Sequence, residues 1–154
     1  MGLEDRLREL GLELPLLPEA VANYIPGVLV GEVLYLSGTI GKIGDKLVYQ
    51  GKLGADLTVE EGYQSARLCT LNHLAMAKSV LGDLDRIERA VRLVGYVNSA
   101  PGFKEAPWVV NGASDLLVEL LGPERGRHAR AALNVGELTF DAPVETVLTL
   151  QVRG

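Results

Sequence analysis

Two stretches near the C-terminus alternate between apolar and polar residues, and they restrict the fold more than any other feature of the chain. In Ala129–Val135 the residues Ala129, Ala131, Leu133 and Val135 alternate with Arg130, Ala132 and Asn134. In Val144–Val152 the residues Val144, Leu148, Leu150 and Val152 lie opposite Glu145, Thr149 and Gln151. Successive side chains on an extended strand point to opposite faces, so each stretch reads as a strand with one apolar and one polar face. The turn-forming segment 136–143 between them predicts a hairpin. That hairpin would set Glu145 roughly across from Arg130, the two sharing the face away from the helix-covered side.

The rest of the chain supplies the remaining layers. Leu3, Leu7 and Leu10 fall at i, i+4 and i+7, one stripe of a short helix that Gly11 and Pro15 end. Segment 15–26 is a Pro-punctuated loop; 28–30 and 33–37 read as strands joined tightly at Gly31-Glu32, and 38–54 is glycine-rich with a short strand at 46–49. Thr58-Val59-Glu60-Glu61 is a capping box, which starts a long helix running to about Leu81 and stopped by Gly82. Its inward positions include Ala66, Leu74, Ala75 and Leu81. An inner strand follows over about 87–97, apolar on both faces. Pro107 opens a second helix with Val110, Ala113, Leu117 and Leu121 on one face, closed by Gly122-Pro123. This order predicts an α+β domain, a sheet with both helices packed on one face. Val33, Tyr35 and Val147 fall on the other face, which is apolar enough to suit a partner.

Composition narrows the function. A length of 154 residues fits a single domain spanning 1–154, with 1–17 as an N-terminal helical extension. The formal net charge of −5 and the small cluster Arg125, Arg127, His128 and Arg130 make nucleic acid an unlikely partner but would suit one small anion. One cysteine and two histidines exclude an internal disulfide and argue against a thiolate-rich zinc site. No apolar run reaches the ~18 residues a membrane span needs. Charges at Glu4, Asp5, Arg6, Arg8 and Glu9 do not read as a secretory leader, so a cytoplasmic protein is expected.

Five short matches in order point to a family. They are Asn23-Tyr24; Leu34-Tyr35-Leu36-Ser37-Gly38, with Ser37 thirteen residues after Tyr24; Val109-Val110-Asn111; Ala129-Arg130-Ala131; and Val144-Glu145, with Glu145 fifteen residues after Arg130. The chain resembles the Rid (YjgF-like) family of reactive-intermediate, or imine, deaminases from about Pro18 onward. That resemblance implies the fold of bacterial monofunctional chorismate mutase. In it, three subunits join their sheets in a homotrimeric barrel, with helices outside and ligand clefts between neighbours. It also implies that Arg130 clamps a substrate carboxylate and Glu145 positions or activates water. Tyr24, Ser37 and Asn111 would line the cleft, and the amides of Gly38 and Ala132 would help hold the ligand. Two positions depart from the family pattern: Thr39 replaces a common glutamine and Ala132 a common cysteine.

Each residue also has a plainer reading. A guanidinium meets a carboxylate in a planar fork that lysine cannot copy, but Arg130 could instead pair with Glu145 across the hairpin. Glu145 could act as a base toward water. Tyr24 could merely anchor its loop, Ser37 could belong to a turn, and Asn111 could bond locally. Ser37 has no histidine partner apparent in the sequence, so a serine hydrolase is a weak reading. His128 would share the Arg130 face and be exposed; His73 reads as structural, Cys69 as a buried small hydrophobe, and the glycines of 38–54 as turns. The function expected is hydrolysis of small 2-imino or enamine acids to 2-oxo acids and ammonia, with no metal or organic cofactor. A trimer that binds a carboxylate metabolite without turnover is the rival, and an endoribonuclease is a weaker third reading.

Overall fold

The computed structural model of the chain describes residues 2–17 and 22–154. The expected loop 15–26 therefore lies partly outside the described residues. Helix α1 (Leu3–Glu9) buries Leu3 and Leu7. The N-terminal hairpin pairs β1 (Gly27–Val30) with β2 (Val33–Leu36) through Gly31, whose φ of 59° is left-handed. Short strands β3 (Thr39–Ile40), β4 (Lys42–Ile43) and β5 (Lys46–Leu47) follow, so the expected strand at 46–49 is only two residues long and pairs with β4.

Helix α2 (Val59–Leu81) begins at the Thr58 capping box, where the Glu61 amide donates to Thr58 Oγ1 at 3.1 Å and the Thr58 amide to Glu61 Oε1 at 3.0 Å. It stops at Gly82 in the left-handed region, φ 78°. The second helix, α3 (Ala106–Gly126), is broken at Gly122 (φ 84°, ψ 166°), so the Gly-Pro stop acts where the sequence puts it. Gly112 allows α2 and α3 to touch: a Cβ there would lie 1.9 Å from the Tyr63 carbonyl oxygen.

The main sheet runs β1-β2-β8-β6-β7, where β6 is Ile87–Asn98, β7 Ala129–Val135 and β8 Val144–Val152; β3 extends the edge of β8. Leu93, Leu148, Leu150 and Val152 of the sheet pack with Leu74, Val110, Ala113, Leu117 and Leu121 of the helices in one buried core. This is the α+β arrangement expected, with a mixed sheet and its helices on one face.

The expected C-terminal hairpin does not form. β7 pairs in parallel with β6, β8 pairs antiparallel with β6 on its other side, and segment 136–143 crosses from the sheet edge to its middle. That segment holds a 3-10 turn, Thr139–Asp141, and gives the chain room to pass β6. Inserting β8 between β2 and β6 buries every second residue of β8, more than a strand at the edge could bury. The register of β7 against β6 also turns its faces over. Arg130 lies beside Leu93 and Ala132 beside Gly95, both on the helix side, whereas Ala129, Ala131 and Leu133 lie beside Arg92, Val94 and Tyr96 on the open face. Glu145, beside Tyr96, is on the open face too. Arg130 and Glu145 thus occupy opposite faces of the sheet rather than the same one.

Candidate functional site

The residues singled out by sequence fall into two clusters. In the first, Tyr24, Ser37, Gly38, Thr39 and Glu145 line a cavity of about 380 Å³, together with Lys42, Met76 and Phe140. Ser37 lies just beyond the end of β2. Its hydroxyl donates to the Ile25 carbonyl at 2.6 Å and its amide to the Pro26 carbonyl at 2.8 Å. The serine therefore ties the Tyr24 loop to the sheet, leaving Tyr24 55% exposed at the cavity. Glu145 pairs with Ile40 of β3 on one side and Tyr96 of β6 on the other. Its carboxyl is half-buried, and burial pushes its pKa above the ordinary carboxylate value. Gly38 faces it so closely that a Cβ would lie 3.0 Å from Oε2.

The second cluster is built by α3 and β7. Pro107, Asn111 and Ser114 follow each other at helical spacing along α3 and face the Arg130 guanidinium. Nη1 of Arg130 donates to Asn111 Oδ1 at 2.7 Å and to Ser114 Oγ at 3.2 Å, and Nη2 donates to the Pro107 carbonyl at 3.3 Å. A guanidinium carries five N–H donors, so Nε and Nη2 each retain one for a two-pronged contact with an incoming carboxylate. Among the described residues neither Arg130 nor Glu145 forms an ion pair, and the expected pairing between them is absent. Counting strand spacings puts their Cα atoms roughly 14 Å apart, two strands over and three residues along.

Sequence reading missed Ser114 and read His128 as exposed. The His128 ring is instead half-buried, its Nδ1 2.6 Å from the Gly126 carbonyl and its Nε2 2.9 Å from Ser114 Oγ. A carbonyl can only accept, so Nδ1 donates; Nε2 is then placed to accept from the Ser114 hydroxyl, whose oxygen accepts from Arg130. The i+3 spacing of Ser114 from Asn111 was the available signal. Also missed were Lys42 and Phe140 of the first cluster, which periodicity could not mark because both lie in irregular or very short segments. Ala132 lies two residues beyond Arg130 on the same row, packed toward the core.

His73 is wholly buried with Nε2 2.9 Å from Thr146 Oγ1, and burial pulls its pKa down to about 4. Cys69 is wholly buried and its thiol is pushed up to about 12, which leaves it inert. Among the described residues no group of three or more His, Cys, Asp and Glu side chains is arranged to hold a metal ion. No described helix is long and apolar enough to cross a membrane.

With this geometry in place, comparison with known proteins gives the ancestry. The family described as "YjgF/chorismate mutase-like, putative endoribonuclease" matches residues 4–143. Protein TCP17 of Trypanosoma cruzi is 45% identical over 139 residues, covering 90% of this chain and 87% of that one. A Shewanella oneidensis MR-1 structure carrying an endoribonuclease label is 41% identical with a TM-score of 0.93, over 99% of this chain and 100% of the other. Atu1372 of Agrobacterium tumefaciens, of unknown function, is also 41% identical, with a TM-score of 0.88 over 97% and 91% of the two chains. A more distant structure, E. coli TdcF with bound serine, is 19% identical with a TM-score of 0.59, over 89% and 92% of the two chains, and shares the fold. The chain is a member of the Rid, or YjgF/chorismate mutase-like, family.

Proposed function

We propose that the protein hydrolyses small 2-imino or enamine acids to 2-oxo acids and ammonia, in a cleft shared between subunits of a homotrimer. The observation that carries the reading is the placement of Glu145: a half-buried carboxylate without an ion-pair partner among the described residues, lining a cavity beside Tyr24 and Gly38. Its raised pKa suits a base that must take a proton from water near neutrality. Arg130, with two donors unspent on α3, holds the substrate carboxylate. Asn111 keeps the guanidinium aimed, and the amides of Gly38 and Ala132 hold the ligand.

The placement of these groups favours a site built from two chains. Arg130 and Glu145 leave opposite faces of the sheet with their Cα atoms roughly 14 Å apart, so a small acid meets both more readily where the Arg130 of one subunit serves the Glu145 cavity of its neighbour. The open sheet face supports such an assembly, since Val28, Val30, Tyr35 and Leu133 are between 46% and 59% exposed on it. In the cleft, water attacks the carbon of the protonated imine as Glu145 takes one of its protons, which gives the neutral carbinolamine. Glu145 returns that proton to the nitrogen, and ammonia leaves as the hydroxyl proton passes to Glu145 and the C=O forms. An imine is already electrophilic, so positioning supplies most of the gain and no cofactor enters. The whole chain 1–154 acts as one domain, in the cytoplasm.

The test is coupled imine hydrolysis. An amino-acid oxidase generates imino acids in semicarbazide, and the purified protein competes for them. A fall in semicarbazone that disappears in Arg130→Ala supports the reading; no fall with any imino acid overturns it. The rival is a trimer that binds a carboxylate metabolite without turnover, as serine is bound by TdcF in that structure. It is favoured by the Ser37 hydroxyl being committed to Ile25, which removes one polar group from catalysis. Ligand binding without hydrolysis would decide for it.

A further inference from the structure

Two residues of the Glu145 cavity have no place in the chemistry above. Lys42, on β4, lines the cavity, and its ammonium sits 4.9 Å from the centre of the Phe140 ring. Its backbone is fixed from the core side, where buried Asn72 donates to the Lys42 carbonyl at 3.0 Å and to that of Ile40 at 3.0 Å. Among the described residues no carboxylate pairs with this ammonium.

Phe140 is odder. The residue is 69% exposed, yet its backbone sits at φ 54° and ψ 21°, followed by Asp141 at φ 56°. Left-handed backbone is disfavoured for residues with a Cβ, and a pair in succession persists only when its surroundings impose it. They do so here. Gln50 Nε2 donates to the Phe140 carbonyl at 3.0 Å, the Gly51 amide to the Asp141 carbonyl at 2.8 Å, and Asn98 Nδ2 to Asp141 Oδ1 at 3.0 Å. Lys52 secures Asn98 in turn, 2.8 Å from its Oδ1, and also reaches the Gly136 carbonyl. A strained turn is thus braced by a polar network, and what it delivers is an aromatic ring against a cation at the edge of the cavity.

The cavity therefore carries two kinds of polar group: the Glu145 carboxyl, with Tyr24 and Gly38, and the Lys42 ammonium, whose direction Phe140 sets by cation–π contact. Ile40, Met76 and Phe140 supply apolar wall. A volume of about 380 Å³ lies within the ~300–1,000 Å³ of clefts that hold ligands well beyond a three-carbon acid. We infer that Lys42 and Phe140 form a distal subsite selecting 2-imino acids that carry a second, terminal carboxylate, the imines of acidic amino acids. The inference rests on the imine-hydrolase reading of the same cavity and adds the substrate class. The methylenes of such a ligand lie along the apolar wall, and its far carboxylate meets the ammonium as a point charge.

The test measures imine hydrolysis by the whole chain on two substrates formed by oxidases, the imino acids of glutamate and of leucine. The readout is the ratio of their kcat/KM values, which cancels any general loss of folded protein. The ratio favours the dicarboxylic substrate in the wild type, falls tenfold or more in Lys42→Met, and recovers in Lys42→Arg. A ratio that favours the leucine-derived imine, or one that Lys42→Met leaves in place, overturns the subsite while the imine-hydrolase reading stands. If neither substrate is hydrolysed, calorimetric titration with 2-oxoglutarate and 2-oxobutyrate separates the two ideas. Tighter, Lys42-dependent binding of the dicarboxylate supports the subsite and retires the hydrolase; equal binding, or none, overturns the subsite.

Discussion

Removing the Asn111 side chain should loosen the carboxylate clamp without dismantling it. Asn111 Oδ1 accepts the shortest of the three bonds made by Arg130, at 2.7 Å, and shares Nη1 with Ser114 Oγ at 3.2 Å. Hydrogen bonds to a charged group contribute about 1.5–3 kcal/mol, and the exposure of Arg130 puts this one at or below the lower end. About 1.4 kcal/mol is a tenfold change in Kd. Asn111→Ala should therefore weaken a 2-oxo acid by roughly tenfold in calorimetric titration. Arg130→Ala should cost more, because the charge itself is lost. Ser114→Ala should cost less than Asn111→Ala, and the double variant less than the sum, because both acceptors hold one nitrogen. Wild-type affinity in Asn111→Ala would refute the argument that α3 orients the arginine.

Other expectations follow from single groups. Glu145→Gln should abolish turnover yet raise Tm at pH 7. Burial lifts the folded pKa of Glu145 above its ordinary 4.5, so its ionised form opposes folding at higher pH; the advantage of the glutamine should shrink as pH falls toward 4.5 and vanish below it, and equal Tm values at pH 7 would contradict it. His73, neutral in the fold with its pKa lowered to about 4, should withdraw stability as pH falls from about 6.5, where the unfolded chain begins to protonate, toward 4. A shift of this size is worth about 3 kcal/mol at full extent, and chemical unfolding between pH 7 and pH 4 should show a loss of that order, reduced in His73→Gln. Gly112→Val should unfold the protein or cost more than about 3 kcal/mol, since a Cβ already meets the Tyr63 carbonyl at 1.9 Å; a Tm within a few degrees of wild type would show that α2 and α3 can separate freely.

The parts of the fold legible in the sequence were those governed by local chemistry. The Thr58 capping box, the Gly82 stop and the Gly122-Pro123 break each act where their residue types dictate. The faces of β8 were readable too, because a strand buried on one side must alternate. Strand pairing was not. Periodicity gives the faces of a strand but not its neighbour, and the proximity of β7 and β8 in the chain suggested a hairpin that the sheet replaces with a crossover past β6. β7 misled for a further reason. Its apolar row, Ala129, Ala131 and Leu133, faces the open side, while Arg130 turns to a polar strip of α3 formed by Asn111 and Ser114. The alternation was read correctly and assigned to the wrong side. The candidate residues themselves came from the resemblance. The structure gathers Tyr24, Ser37, Gly38 and Glu145 at one cavity and Asn111 and Arg130 at another place. Lys42 and Phe140 carried no periodic signal at all.

The central claim, an active cleft completed between copies of the chain, is tested most directly by mixing two inactive variants. Arg130→Ala retains a sound Glu145 cavity, and Glu145→Gln retains a sound arginine clamp. In a cyclic trimer refolded from equal amounts of both, about a quarter of the clefts pair an intact Arg130 with an intact Glu145 from the neighbour. The account predicts that imine hydrolysis returns to roughly that fraction of the wild-type rate. A mixed trimer as inactive as either variant alone would mean that Arg130 and Glu145 of one chain must act together, contrary to their places on opposite faces of the sheet.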